Sequence, residues 1–162
     1  MIVKFFDLKK NLKSNINFYL LYGPNSGLIE ETINNTLKPD LSINIFNYDE
    51  SEILSNLDEF KDGIFSKSFF DKDKLIIINR ATDKILHIIE EIIDKDIKDL
   101  KIIIKSGVLE KKSKLRKFFE TNKGVIIIPF YEDNYQSLTS IAQIFFREKK
   151  NWYIGPKYKL YC

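Results

Sequence analysis

Five short runs of large apolar residues, at 18–22, 43–46, 75–78, 102–104 and 125–128, constrain this chain more than any other feature. Several of them, LIII and VIII included, are continuous and do not alternate with polar residues. A strand with one wet face alternates, because successive side chains point to opposite sides of the sheet. A continuous run of strand length suits a strand buried on both faces, as in a parallel sheet. The segments between the runs have a helical period. Ile85, Ile88, Ile89, Ile92 and Ile93 recur on one side, with Glu90, Glu91 and Asp94 on the other. Leu115, Phe118 and Phe119 mark a shorter helix that stops near Asn122 and Gly124. Residues 49–60 form another, with Ile53, Leu54 and Leu57 inside. Leu138, Ile141, Ala142 and Phe145 mark a further one, closed by a Phe145-Phe146 pair expected in the core. Strands alternating with helices predict an α/β fold, a parallel sheet of about five strands with helices on both faces.

Composition narrows the function classes. Hydrophobic residues are 44% of the 162, enough to fill a real core on a chain long enough for one domain and the start of a second. The net charge of +3 neither demands nor excludes nucleic acid. There is one cysteine, Cys162, and one histidine, His87, so no disulfide framework, zinc cluster or cysteine–histidine nucleophile can be assembled. The apolar runs fall far short of the roughly 20 residues that span a bilayer. The start, MIVKFFDLKK, has neither a long apolar core nor a cleavage site. The expectation is a cytoplasmic protein with no membrane contact.

The first strand, FYLLY, runs into Gly23-Pro24-Asn25-Ser26-Gly27 and then into a helix near Leu28. Strand, glycine-bounded turn, helix is the layout of a phosphate-binding loop. A working loop has four residues between its glycines and then Lys and Ser or Thr. Here Pro24, Asn25 and Ser26 alone separate Gly23 from Gly27, and Leu28 and Ile29 stand where the cation and the metal-binding hydroxyl belong. Glu30 and Glu31 follow and would repel phosphate. The partner site, an acidic residue after an apolar strand that holds magnesium, is missing too, because LIII ends in Asn79-Arg80. Asp49-Glu50 follows an apolar strand but sits one βα unit too early. The simpler account is a P-loop-like fold that binds no nucleotide, in which Gly23 and Gly27 make a tight packing turn.

The stretches FYLLYGPNSGLIEETI, SFFDKDKLIII, LKIIIKSGVLEKKSKLRKFFE and VIIIPFYEDN, in this order and spacing from about 16 to 150, resemble the delta subunit of the bacterial DNA polymerase III clamp loader. The resemblance implies an AAA+-like first domain that does not bind ATP, with no cofactor and no catalytic or metal site of its own, inside a DNA-synthesising complex. It implies a role in replication, binding the sliding clamp (the beta subunit) and opening it for loading onto primed DNA. The other loader subunits would be further partners, and DNA an indirect one. The family's clamp contact is an apolar pair after Ser just before the third strand, matched here by Ser68, Phe69 and Phe70. Phe69 replaces the usual Leu, and Asp71 stands where a small residue is common.

The residues also speak for that pair alone. Two adjacent large aromatics in SKSFFDKDK rarely both face inward on a short turn, and an exposed aromatic anchor is a typical interface hot spot. The competing account makes them a satellite of the core, and Ile64 and Phe65 are a rival pair expected to pack under the same loop. Lys111, Lys112, Lys114, Arg116 and Lys117 are candidates for DNA phosphate contact, or simply the solvated face of a helix. His87 lacks a metal-sharing partner, and Asp58, Glu59 and Asp62 form no acid–base pair. The alternatives are a P-loop ATPase or nucleotide kinase with a degenerate loop, and a nucleic-acid-binding module.

The expected organisation is an AAA+-like domain over 1–131, the start of a helical lid domain over 132–150, and an aberrant tail over 151–162. NWYIGPKYKLYC departs from the preceding pattern, as a reading-frame shift or a truncated gene would leave it.

Overall fold

The apolar runs become five strands, β1 (Phe18–Tyr22), β2 (Asn44–Asp49), β3 (Lys74–Asn79), β4 (Leu100–Ser106) and β5 (Val125–Pro129). All pair in parallel, in the order β2-β3-β4-β1-β5. The computed structural model describes residues 1–12, 16–38, 44–65, 74–97, 99–132, 138–139, 142–143 and 145–146. The chain divides into two compact units, Met1–Tyr131 and Glu132–Cys162.

Continuous hydrophobicity has the expected cause. Along β1, Leu20 and Tyr22 join one core while Tyr19 and Leu21 join the other; in β3 and β5 the residues alternate between the two cores in the same way. The first core packs under α3 (Glu50–Ser55), α4 (Leu57–Phe65), α5 (Leu86–Asp94) and α6 (Lys114–Thr121), through Ile53, Phe60, Ile88, Ile92, Leu115 and Phe119. The second packs under α1 (Leu8–Asn11) and α2 (Ser26–Thr32), which runs on as a π-helical turn, Ile33–Leu37. Each fully buried Leu, Ile or Phe contributes roughly 1.5–3 kcal/mol of transfer free energy, so neither face can be left uncovered.

Three local expectations change. β2 reaches Asp49, and its Ile45 and Phe46 remain 42% and 39% exposed, because an edge strand is covered from one side only. The helix expected over 49–60 breaks at Asn56 (φ −130°, ψ 52°) into α3 and α4. Ile53 of α3 and Phe60 of α4 reach the core, and Leu54 is left at the surface. In the second unit, Phe145 and Phe146 are exposed, their rings edge to face at 5.9 Å.

The far edge of the sheet is closed by the chain itself. The Val3 amide donates to the Ile127 carbonyl (3.0 Å) and the Ile127 amide to that of Met1 (3.1 Å). Among the described residues no helix is long and apolar enough to cross a membrane.

Candidate functional site

In an open parallel sheet the ligand crevice lies beyond the carboxyl ends of the strands, where the strand order reverses. Here that place is the end of β1, between β4 and β5, and the Gly23–Gly27 turn occupies it. Gly23 sits at φ +138°, and a Cβ there would stand 1.9 Å from the Phe130 carbonyl oxygen. Only glycine fits. Gly27 is different: a Cβ would meet only the Asn25 Oδ1, at 3.9 Å, and its φ is ordinary. The expectation that both glycines are needed for the turn therefore holds for Gly23 alone, since Gly27 already lies in the first turn of α2.

A phosphate-binding loop works by pointing successive backbone amides at the anion. Four amides in and just after this turn serve the protein. Gly23 donates to the Gly107 carbonyl (3.0 Å), Ser26 to that of Pro24 (3.0 Å) and Ile29 to that of Asn25 (3.1 Å). The Asn25 side chain caps α2 by accepting from the Leu28 amide at 3.1 Å. Pro24 has no amide hydrogen to offer.

Beside the turn lies a cleft of about 660 Å³ lined by Gly23, Ser26, Glu30, Asp49, Arg80 and Lys105, among others. Its two cations are each engaged by a carboxylate. Lys105, near the end of β4, donates to Glu30 of α2, and Arg80, just after β3, donates to Asp49 of β2. Arg80 holds a left-handed backbone (φ 54°), and the Asn79 side-chain amide donates to the Tyr48 carbonyl at 3.1 Å. The magnesium-holding position is thus filled by an amide and a guanidinium that bind the neighbouring strand. An entering phosphate would have to displace two carboxylates and would face both.

The proposed clamp contact, Ser68, Phe69 and Phe70, lies outside the described residues. The rival pair beside it does not: Ile64 is buried in the first core, and Phe65 is half-buried with the Lys95 ammonium 3.5 Å from its ring centre.

The basic run divides. Lys111, Lys112, Lys114 and Lys117 are exposed, with Lys112 paired to Glu110 at 2.9 Å. Arg116 turns inward. Its Nε donates to Glu120 (2.8 Å), its Nη1 to the Leu109 carbonyl (3.0 Å), and its guanidinium lies 5.2 Å from the Tyr22 ring centre. The Glu120 bond holds its pKa above the usual value.

Two acidic residues have structural roles that the sequence pattern did not give them. Asp83 accepts from the Ser113 hydroxyl (2.6 Å) and from the Lys114 and Leu115 amides (both 3.0 Å), capping α6 from outside. The Ser113 bond, followed by the Lys114 amide, holds its carboxyl below the ordinary value. Glu50 is buried and accepts from the Thr82 amide (2.8 Å) and hydroxyl (2.9 Å). The only local hint was the Ser before the basic helix, an N-cap signal. His87 is exposed, its Nδ1 3.1 Å from the Lys84 carbonyl. No metal-binding cluster occurs among the described residues.

A parallel five-stranded sheet in this order, with a phosphate-loop turn closing β1, defines a P-loop-type α/β domain, consistent with an AAA+-like arrangement. The family described as DNA polymerase III, delta subunit, matches residues 19–129, and the chain belongs to that family. Among solved structures it is similar to the Bacillus subtilis DNA clamp loader delta protein (YqeN), with a TM-score of 0.66 and 19% identity. The match covers 90% of this chain and 48% of that one, so this chain spans about half the length of that relative. At that identity the likeness speaks for the fold. No curated protein matches the chain.

Proposed function

We propose that the chain acts in DNA replication as a delta-type component of a clamp loader, engaging a sliding clamp without a nucleotide of its own. The observation that carries this reading is membership of the delta subunit family across residues 19–129. The occupied amides of the Gly23 turn and the carboxylate-paired cations Lys105 and Arg80 support the nucleotide-free part. The clamp contact is assigned to Ser68, Phe69 and Phe70, between the end of α4 and the start of β3. A cytoplasmic location goes with this role. Clamp engagement is the minimal form of the proposal; opening the ring and joining the other loader subunits are its extension.

The deciding experiment is capture of the sliding clamp by the full chain, with and without ATP. Equal capture under both conditions is expected. No capture in either condition sinks the reading. Capture only with ATP, or micromolar magnesium–ATP affinity by isothermal titration, favours a nucleotide-using protein instead.

The exposure of Lys111, Lys112, Lys114 and Lys117 favours a second, compatible role for this face as a DNA phosphate contact. Arg116 is excluded from it by its inward bonds.

A further inference from the structure

The two edges of the sheet are treated differently. The β5 edge is closed by Met1 and Val3, whereas β2 has no strand beyond it among the described residues. Edge strands in stable proteins are commonly blunted with Lys, Pro or a bulge. The NIFNYD of β2 has neither Lys nor Pro, and it pairs with β3 without a bulge from Asn44 to Asp49. The Tyr48 carbonyl turns inward, where it accepts the Asn79 amide, and the Asp49 amide turns outward to Glu52. Backbone groups alternate along a strand, so those of Ile45 and Asn47 also turn outward.

Beside this edge lies a groove of about 350 Å³ between β2 and the α3–α4 break. Tyr48 and Phe60, their rings edge to face at 5.1 Å, line it together with Asn47, Asn56 and the carboxylates Glu52 and Glu59, and among the described residues no Lys or Arg lines it. Glu52 spends one oxygen on the Asp49 amide. Acceptors over an aromatic surface suit a Lys or Arg side chain, by charge and by cation–π attraction. Both carboxylates repel nucleic acid. Pairing of β2 with a second copy would bring two acidic grooves near each other.

We propose that β2 receives an extended segment of a partner protein as a sixth strand. That segment carries a basic residue that enters the Glu52–Glu59 groove, with the outward groups of Ile45 and Asn47 supplying main-chain hydrogen bonds. Strand addition of this kind takes its affinity from the main chain and its specificity from alternate side chains. The test reads β2 and Glu59 with a peptide and needs no clamp, so its failure is distinguishable from a failure of clamp binding.

The probe is the acetylated, amidated peptide Thr-Val-Lys-Val-Lys-Val-Thr, titrated into the isotope-labelled full chain. Comparison peptides carry Glu in place of Lys, or N-methyl groups along one edge. Amide shifts confined to β2 and the α3–α4 break are expected with the lysine peptide. Glu59→Lys, on an exposed helix surface, should weaken that peptide by about fivefold or more and reverse the preference for its Glu counterpart. Ile45→Pro, which removes an outward amide, should weaken it by about tenfold. Equal binding of the Glu or the N-methylated peptide overturns the proposal. So does the absence of shifts with all three, or self-association of the chain through β2 seen by sedimentation.

Discussion

Asp83 accepts a hydrogen bond from the Ser113 hydroxyl at 2.6 Å across thirty residues of chain, and together they close the N-terminus of α6. Ser113 covers the Arg116 amide while Asp83 covers those of Lys114 and Leu115. The start of the basic helix is therefore held to the loop that follows β3.

Asp83→Ala should cost about 0.5–2 kcal/mol, the range for a lost helix cap. The sign of the pH dependence follows from the lowered pKa. The unfolded chain takes up the proton first as pH falls, so the Asp83 contribution is full above the ordinary carboxylate range and is lost as pH drops through the folded-state value. Urea melts of both proteins should differ at neutral pH and converge in strong acid. A gap that persists in acid contradicts the assignment.

Gly23→Ala and Gly27→Ala should separate cleanly. The first drives a methyl group into the Phe130 carbonyl at a positive φ; a loss of about 3 kcal/mol or failure to fold is expected. The second places alanine in a helix, with a gain of up to about 1 kcal/mol. Thermal melts check both, and equal losses would mean that the turn needs both glycines.

Phe70→Ala should weaken clamp binding by at least about tenfold, or about 1.4 kcal/mol. Circular dichroism and melting temperature should hardly change. Unchanged affinity in a surface-binding assay would remove Phe70 from the contact.

Replacing Lys111, Lys114 and Lys117 with Glu should leave stability within about 0.5 kcal/mol, as these side chains are exposed. It should also flatten the salt dependence of any DNA binding. Arg116→Ala should instead lower stability by about 1–3 kcal/mol, through lost bonds to Glu120 and Leu109 and lost packing on Tyr22. Urea melts combined with salt-series titrations distinguish the two; equal stability losses would refute the division of the basic run.

Tyr19 is buried with its hydroxyl donating to the Ile16 carbonyl (2.8 Å), and burial pushes its pKa up to about 12. The neutral phenol is the favoured folded form. Its contribution is complete below the unfolded value of 10.0 and is lost as pH rises through about 12. Ultraviolet titration should find a tyrosine ionising near pH 12, and Tyr19→Phe should remove that step.

Local pattern alone determined several features. Leu20 and Leu21 had to face opposite cores because strand side chains alternate, so a continuous run already meant a sheet covered twice. The Gly23 turn between strand and helix was legible as a packing turn, and Gly23 packs against the Phe130 carbonyl. These readings need only neighbours in the chain. The tertiary structure decided what depends on partners distant in sequence: β2 at the open edge, with Ile45 and Phe46 exposed; Arg116 drawn inward under Tyr22; Lys105 held by Glu30 and Arg80 by Asp49; and Asp83 as the cap of α6. Each is set by the order in which parallel strands pair. Hydrophobic period reports which way a side chain faces, but not which strand or loop stands opposite it.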